Sequence, residues 1–215
     1  MTDICVIFDL DGTLVDSETL CNQAFLDLLP ELDEPVDALV VRYRGKKLGL
    51  ILADLRSRLG RELPDGFETR YRQRVSELFD RELKPVAGVC EMLEATHYAR
   101  CVASSGPSAK IRHALSVSGL GAYFGDRIFS AYDVGSWKPE PGLFLHAAQA
   151  MGFEPAHCIV VEDSDVGIAA AAAAGMAALQ YAPNNGAPVT NGLASFNSMH
   201  SLPALLHQFA HRLSK

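Results

Sequence analysis

The stretch Ile-Cys-Val-Ile-Phe-Asp-Leu-Asp-Gly-Thr, residues 4–13, decides how the rest of the chain is interpreted. Five apolar residues in a row, Ile4–Phe8, are typical of a strand that is buried on both faces of a parallel sheet. The run ends at Asp9, and a second aspartate, Asp11, precedes a glycine that can form a tight turn. Because open parallel sheets bind ligands outside the carboxyl ends of their strands, both carboxylates are expected at a functional site.

Two carboxylates at this spacing have two interpretations. Asp9 could act as a nucleophile or Mg²⁺ ligand while Asp11 acts as a general acid and base. The alternative is a solvated Asp-Gly turn. This alternative would be favoured if the short motif stood alone, because short motifs recur by chance. Here the pair directly follows an apolar strand, and this context favours the functional interpretation.

The composition excludes several classes of protein. Of the 215 residues, 48% are hydrophobic and 21% are charged, which is enough for a globular protein with a sizeable core. The net charge of -7, without a long Lys/Arg run, argues against nucleic acid as a partner. No apolar run is long enough for a membrane span, and the first residues lack the features of a signal peptide, so no membrane partner is expected.

The five cysteines show no CxxC spacing, and the seven histidines show no metal-ligand spacing. We therefore expect free thiols in a reducing compartment, which indicates a cytoplasmic location. A structural disulfide or zinc site is not expected.

The periodicity of apolar residues changes once along the chain. Between Asp16 and Lys84, four consecutive segments have helical spacing, which predicts a small helical bundle. From Pro85 onward, helical and strand patterns alternate, which implies a doubly wound parallel sheet. Further strands are predicted at Arg100–Ala103, Ile128–Ala131, Cys158–Val161 and Ala177–Tyr181.

The fold class that follows is α/β. We predict a Rossmann-like core domain of residues 1–15 and 86–215, with an α-helical cap domain inserted at residues 16–85. Such an insertion would lie over the carboxyl ends of the strands and could act as a lid.

Polar residues follow three of the predicted strands, and parallel neighbours would bring them to one edge of the sheet. They are Asp9 and Asp11, Ser104 with Ser105 and Gly106, and Glu162 with Asp163. Lys138, in the Trp-Lys-Pro loop, adds a cation. Each of these has a simpler interpretation when taken alone, as a helix cap or a solvated lysine. Together they suit phosphoryl transfer, where positioning and charge neutralisation do most of the work.

Each group has a physical role in that reaction. Asp9 and Asp163 can supply the carboxylates that Mg²⁺ prefers. Ser104 and nearby backbone N–H groups can hold phosphate oxygens at a helix N-terminus. Lys138 would offset negative charge on Asp9 and the phosphoryl group. Asp11 would give a proton to the leaving group and then take one from the attacking water.

The sequence FDLDGTLVDSE, residues 8–18, together with Ser104, Lys138 and Glu162–Asp163, resembles the four motifs of the haloacid dehalogenase (HAD) superfamily of phosphotransferases. The predicted cap resembles that of the β-phosphoglucomutase-like subgroup. The resemblance implies that Asp9 is the nucleophile of an aspartyl-phosphate intermediate and Asp11 the general acid and base. It also implies metal ligation by the Asp11 backbone carbonyl and by Glu162, directly or through water. Substrate contacts are expected at Thr13, Ser105 and Gly106.

A basic loop, Arg44–Gly45–Lys46–Lys47, lies between two predicted cap helices. In similar proteins this loop faces the catalytic aspartate, which predicts a substrate with a second anion or many hydroxyls. The alternative is a solvated basic turn. The stretches RGKKL, residues 44–48, and SWKPEP, residues 136–141, resemble those of the bacterial 6-phosphogluconate phosphatases. A phosphosugar acid would then pair its carboxylate with Arg44 or Lys47.

The predicted function is Mg²⁺-dependent hydrolysis of a small-molecule phosphate ester, a phosphosugar or phosphosugar acid, by a monomer that could form a weak dimer. Asp11 argues against the related 2-haloacid dehalogenases and phosphonoacetaldehyde hydrolases, which depart from the family pattern at that position. A phosphosugar mutase shares every motif and stays an alternative. A non-catalytic phosphometabolite-binding module is the alternative from another class, although such a module would be free to lose Asp9 or Asp11.

Overall fold

The computed structural model describes residues 4–183 and 194–213, and a six-stranded parallel sheet lies at the centre of this part of the chain. The strand order is β3-β2-β1-β4-β5-β6, so the first strand is central. The strands are β1 (Cys5–Phe8), β2 (Ala99–Ser104), β3 (Ile128–Ser130), β4 (Cys158–Glu162), β5 (Ala177–Tyr181) and β6 (Ala194–Phe196).

Strand β1 is fully buried because sheet neighbours flank it on both edges and helices cover both faces. Its side chains alternate between two apolar clusters: Val6 and Phe8 pack on one face, and Cys5 and Ile7 on the other. The backbone N–H of Asp9 donates to the carbonyl of Val161 at 2.9 Å, which extends the pairing with β4 by one residue. The strand register therefore places Asp9 at the edge where the neighbouring strands end.

Four helices follow β1 directly, as the helical periodicity predicts: α1 (Glu18–Leu28), α2 (Val36–Tyr43), α3 (Leu48–Leu59) and α4 (Phe67–Glu82). Aromatic rings fill their core, with Phe25 stacked on Tyr71 at 4.2 Å between ring centroids. The chain enters and leaves these helices side by side, because Asp16 N–H donates to the Lys84 carbonyl at 3.1 Å. The division into cap and core domains stays a prediction.

The remaining helices cover the two faces of the sheet. They are α5 (Val89–Ala95), α6 (Ser108–Val117), α7 (Gly121–Phe124), α8 (Ala131–Val134), α9 (Gly142–Met151), α10 (Asp165–Ala173) and α11 (Leu202–Leu213). Short 3₁₀ turns at Pro155–His157 and Met199–Ser201 precede β4 and α11. The predicted α/β fold with a parallel sheet is confirmed.

The strand predictions differ from the structure in detail. Strand β3 ends one residue earlier than predicted, because Ser130 Oγ accepts a hydrogen bond from Tyr132 N–H and starts α8 at Ala131. The predicted strands do not include β6, since three residues with one bulky apolar side chain give no recognisable period. The tail between residues 184 and 193, which follows Pro183, lies outside the described residues.

Candidate active site

A cavity of about 430 Å³ lies between the carboxyl ends of the central strands and helices α1–α4. Its sheet side includes the predicted residues Asp9, Asp11, Ser104, Ser105, Gly106, Lys138, Glu162 and Asp163. All four residues of the basic loop Arg44–Lys47 line its opposite side. The structure thus brings together in one cavity residues that are up to 154 positions apart, between Asp9 and Asp163.

Thr13 is the predicted site residue that does not line the cavity. Its side chain is fully buried, and its Oγ1 lies 3.5 Å from Asp163 Oδ1, at the limit of a hydrogen bond. Thr13 therefore supports Asp163, and its contact with substrate stays a prediction.

Lys138 is the central cation of the site. Its Nζ donates to Asp9 Oδ1 and, at 2.8 Å, to Glu162 Oε1. The Lys138 side chain is only 3% exposed and that of Glu162 only 2% exposed, so water screens neither charge. The solvated-lysine alternative is therefore excluded by this geometry, because a buried ammonium needs the paired carboxylates that it has here.

Burial and neighbouring charges shift the pKa values of Asp9 and Lys138. It raises the pKa of Asp9 to about 7, with Lys138 opposing the rise and Glu162 adding to it. Burial alone would lower the pKa of Lys138, but the two neighbouring carboxylates outweigh it and raise the pKa above its ordinary value. Lys138 thus stays protonated, and it favours the ionised form of Asp9 that a nucleophile requires.

Three carboxylates could hold a metal ion. Asp9, Glu162 and Asp163 each bring one oxygen within 4.8 Å of the others. Burial, then Glu162 and Asp9, raise the pKa of Asp163 well above its ordinary value, because negative charges are crowded there. A divalent cation would offset that crowding, and carboxylate oxygens are the ligands that Mg²⁺ prefers. The donor set therefore fits Mg²⁺.

Glu162 differs from the other two carboxylates because both of its oxygens are already bonded. Oε1 accepts from Lys138, and Oε2 accepts from the Ser164 backbone N–H at 2.6 Å and from Ser164 Oγ at 2.9 Å. This bonding fits contact with a metal through water better than direct ligation.

A glycine at position 12 allows the first loop to approach Asp163. Its φ is +79°, and a Cβ at this position would lie 2.5 Å from Asp163 Oδ2. Any side chain would therefore both strain the turn and displace the Asp163 carboxylate. The DxDG sequence thus contributes a close approach as well as two carboxylates.

The Ser104–Gly106 segment forms a fixed turn at the end of β2. Ser104 Oγ accepts the Gly106 N–H at 3.1 Å, and Ser130 Oγ donates to the Gly106 carbonyl at 2.7 Å. The turn leads into α6, which begins at Ser108. The N-terminus of a ten-residue helix therefore follows the hydroxyls that are predicted to hold phosphate.

The residues of the basic loop are exposed, but several of them contact neighbouring parts of the chain. Arg44 Nε lies 3.0 Å from Glu18 Oε2 and 3.8 Å from Asp163 Oδ2. Lys47 Nζ lies 5.0 Å from the centre of the Trp137 ring, within cation–π range. Gly45 has φ +70°, and a Cβ there would be 2.9 Å from Val166 Cγ2. The loop thus closes one side of the cavity.

Lys110, which belongs to none of the motifs described above, lies beside Asp11 in the structure. Lys110 Nζ lies 2.7 Å from Asp11 Oδ1, and Ser17 Oγ donates to the same oxygen. Burial would raise the pKa of Asp11, but Lys110 and Ser17 outweigh it and leave the pKa below its ordinary value. One signal was available: Lys110 lies in the first turn of a helix, where the macrodipole disfavours a cation.

The fold and this site define a class of enzyme. The family model of the haloacid dehalogenase-like hydrolases matches residues 5–175, and the chain belongs to this family. The superfamily predicted from the four motifs is thereby confirmed.

Two relatives have activities that are more narrowly named than the family. The chain is 37% identical to the 6-phosphogluconate phosphatase of Escherichia coli (strain K12), over 93% of each chain. It is 31% identical to a fructose-1-phosphate phosphatase of the same organism, over 81% of this chain and 94% of the relative. With the family match, these relatives confirm the predicted enzyme class, a phosphoric monoester hydrolase.

Solved structures agree with the fold. A haloacid dehalogenase-like protein of unknown function from Agrobacterium tumefaciens superposes with a TM-score of 0.82 at 31% identity, covering 97% of this chain and 99% of that one. A HAD family hydrolase from Deinococcus radiodurans, solved with bound phosphate and sodium, has a TM-score of 0.78 at 27% identity, covering 97% and 96%.

Two other predictions concern the chain as a whole. All five cysteines are free, as predicted, and three of them are fully buried. Among residues 4–183 and 194–213, no helix combines the length and the apolar character needed to cross a bilayer. The cytoplasmic location and the oligomeric state stay predictions.

Proposed function

We propose that this enzyme is a Mg²⁺-dependent phosphatase of phosphorylated sugars or sugar acids, 6-phosphogluconate included, that acts through a phosphorylated Asp9. The observation that carries the proposal is the buried Asp9–Lys138–Glu162 group beside Asp163, at the base of a cavity with cations on its opposite side. A buried carboxylate held by a cation and facing a cavity suits nucleophilic attack on a phosphate ester.

In the first step an Asp9 carboxylate oxygen attacks the phosphorus atom. The bond from phosphorus to the ester oxygen breaks, its electron pair stays on that oxygen, and the oxygen takes a proton from Asp11. Because Lys110 and Ser17 lower the pKa of Asp11, only the minor protonated fraction of Asp11 can act as this acid. Lys138 already contacts Asp9 Oδ1, so the other oxygen, Oδ2, is the one left to attack. The products are the free alcohol and an aspartyl-phosphate.

In the second step water attacks the phosphorus atom of the aspartyl-phosphate. Asp11, now ionised, takes a proton from that water while the bond between phosphorus and the Asp9 oxygen breaks. Phosphate leaves, and Asp9 returns to the carboxylate that Lys138 stabilises. Ser104 and the backbone N–H groups that precede α6 would hold the other phosphate oxygens, and the position of Ser104 in the cavity lining supports this role.

The proposed Mg²⁺ would be held by Asp9, Asp163 and the Asp11 backbone carbonyl, with Glu162 contacting it through water. When bound, it supplies positive charge next to the phosphoryl oxygens. Lys138 and Arg44 pair with these carboxylates. The two cations neutralise only part of the negative charge of the carboxylates, which supports a metal at this place.

The substrate class follows from the cavity and from the relatives. The basic loop places Arg44 next to Asp163, so a substrate whose phosphate sits at Asp9 extends toward Arg44 and Lys47. A carboxylate or several hydroxyls on the substrate would bind these cations. The phosphatases named above act on a phosphosugar acid and a phosphosugar, which supports the same class here.

We further propose that residues 16–85 form a cap domain that moves relative to the core. The chain connects the two parts at one place, where Val15 bridges Pro85. Two adjacent connecting segments can act as a hinge, and motion about this hinge would admit substrate and then exclude water.

The test is a phosphate-release assay on 6-phosphogluconate, glucose 6-phosphate, fructose 1-phosphate and p-nitrophenyl phosphate, with Mg²⁺ or with EDTA. We expect release that needs Mg²⁺, with kcat/KM for 6-phosphogluconate about fivefold above that for glucose 6-phosphate, since one added ion pair at a partly exposed site contributes about 1 kcal/mol. Equal turnover of the sugar and the sugar acid would remove the assignment to phosphosugar acids. Release only after a sugar bisphosphate is added would indicate a mutase instead.

A further inference from the structure

Lys110 is a partly buried charge that the mechanism above does not use. It lies in the first turn of α6, and its side chain is 24% exposed. Its Nζ lies 2.7 Å from Asp11 Oδ1 and 5.8 Å from the centre of the Phe79 ring on α4. A cation at a helix N-terminus opposes the macrodipole, and partial burial adds a desolvation cost. Such a placement needs a compensating partner, and Asp11 is that partner.

Both donors to Asp11 use the same oxygen. Lys110 Nζ and Ser17 Oγ each bond to Oδ1, and within the described residues no hydrogen bond reaches Oδ2. Ser17 stands at the N-cap position of α1 but makes no capping hydrogen bond, so its hydroxyl serves Asp11 instead of the helix. Because Asp11 lines the cavity, Oδ2 is the oxygen left for a ligand.

We propose that Lys110 is a positioning residue for Asp11: it fixes Oδ1 so that Oδ2 exchanges protons with the leaving group and with water. The inference rests on the proposed phosphatase mechanism. An ammonium group restrains a carboxylate by charge as well as by a hydrogen bond, so it limits rotation of the Asp11 side chain. Lys110 has no direct contact with the phosphoryl group in this role.

The two chemical steps respond differently to a badly placed Asp11. A p-nitrophenolate leaving group departs without a proton, so transfer of its phosphoryl group to Asp9 barely needs Asp11. Hydrolysis of the aspartyl-phosphate needs Asp11 as base whatever the first substrate was. A sugar phosphate, with its poor leaving group, needs Asp11 in both steps.

The test compares Lys110→Met with Arg112→Met, which removes the same charge from a more exposed position of the same helix. Stopped-flow mixing of p-nitrophenyl phosphate with Mg²⁺-loaded enzyme would follow the first turnover. For Lys110→Met we expect a burst of about one p-nitrophenolate per enzyme and then a steady state about 10–100-fold below wild type. Arg112→Met should match the wild type, and Lys110→Arg should recover most of the loss because the charge is kept.

The outcomes separate this inference from the proposed function. If wild-type enzyme releases no phosphate from any ester, the phosphatase proposal fails. If the wild type is active and Lys110→Met behaves like Arg112→Met, the role of Lys110 is wrong. A raised KM for 6-phosphogluconate with unchanged kcat and no burst would also overturn it, because Lys110 would then bind substrate directly. Equal thermal unfolding midpoints for the variants would exclude misfolding as the cause.

Discussion

The two sides of the cavity carry charge in different ways. The sheet cluster (Asp9, Lys138, Glu162 and Asp163) is buried, and the side chains of Lys138 and Asp9 are 3% and 8% exposed. The basic loop (Arg44–Lys47) is partly open to water, and the Arg44 side chain is 50% exposed. Charged groups in the cluster interact strongly because the local dielectric constant is low, so removing one of them affects the others. Charged groups in the loop are screened by water and salt, so one of them can be replaced with less effect on its neighbours. We therefore assign the chemistry to the cluster and substrate selection to the loop.

Replacing the nucleophile should have the largest effect. Asp9→Asn keeps the size of the side chain but removes the attacking oxygen, so kcat/KM should fall by about 10⁴-fold or more on every ester. Phosphate release from p-nitrophenyl phosphate and 6-phosphogluconate measures the loss. The exposed cap residue Asp65 offers a matched control, and Asp65→Asn should leave both rates unchanged. Retention of activity by Asp9→Asn would remove the sheet cluster from the chemistry.

Lys138→Met tests whether charges in the cluster depend on one another. The change leaves Asp9 and Glu162 buried without their shared cation, which should lower the free energy of unfolding by about 3–5 kcal/mol. Lys47→Met removes the same charge from the loop and should cost less than about 1 kcal/mol. Urea unfolding in EDTA compares the two variants. Equal losses would show that the two sides of the cavity do not differ as proposed.

Asp163→Asn tests the metal contribution of the cluster. It removes one carboxylate from the candidate metal site, and the Mg²⁺ concentration for half-maximal activity should rise about tenfold or more. A Mg²⁺ titration of phosphate release gives this value, with Asp165→Asn as the control because Asp165 is exposed and outside the cavity lining. An unchanged Mg²⁺ requirement would mean that Asp163 is not a ligand.

Arg44→Ala should have the smallest and most selective effect. We expect kcat/KM for 6-phosphogluconate to fall about fivefold, while that for p-nitrophenyl phosphate stays within about twofold, because Arg44 pairs with Glu18 and Asp163 and, within the described part of the chain, makes no ion pair with the nucleophile Asp9. Arg42→Ala is the control, since Arg42 pairs with Glu34 and is absent from the cavity lining. A similar loss on both substrates would assign Arg44 to the structure of the cap and not to selectivity.

The sequence predicts the carboxylates of the buried cluster because Asp9, Glu162 and Asp163 lie at the ends of apolar strands, whereas Lys138 lies in a turn between two helices. A run such as Ile4–Phe8 fixes the strand, and parallel pairing then brings Asp9 and Asp163 to the same edge. The same reasoning covers the order of helices and strands, apart from the short helices α7 and α8 and the short strand β6.

Residues outside the strand ends are harder to predict. Lys110 lies on a helix that starts after the Ser104 turn, and its approach to Asp11 depends on how α6 packs beside the loop that follows β1. The sequence also gives no sign that Ser17 bonds to Asp11 rather than to its own helix. Such contacts come from tertiary packing, which a local pattern does not record.

The most direct test of this account is to trap the phosphorylated enzyme. The Mg²⁺-loaded Asp11→Asn variant, which lacks the base for the second step, is mixed with p-nitrophenyl phosphate, quenched in acid and reduced with borohydride. Reduction converts an aspartyl-phosphate to homoserine, which peptide mass spectrometry can locate. We predict homoserine at position 9 and at no other aspartate. Phosphate release by the wild type without any modified Asp9 in the trapped variant would contradict the account.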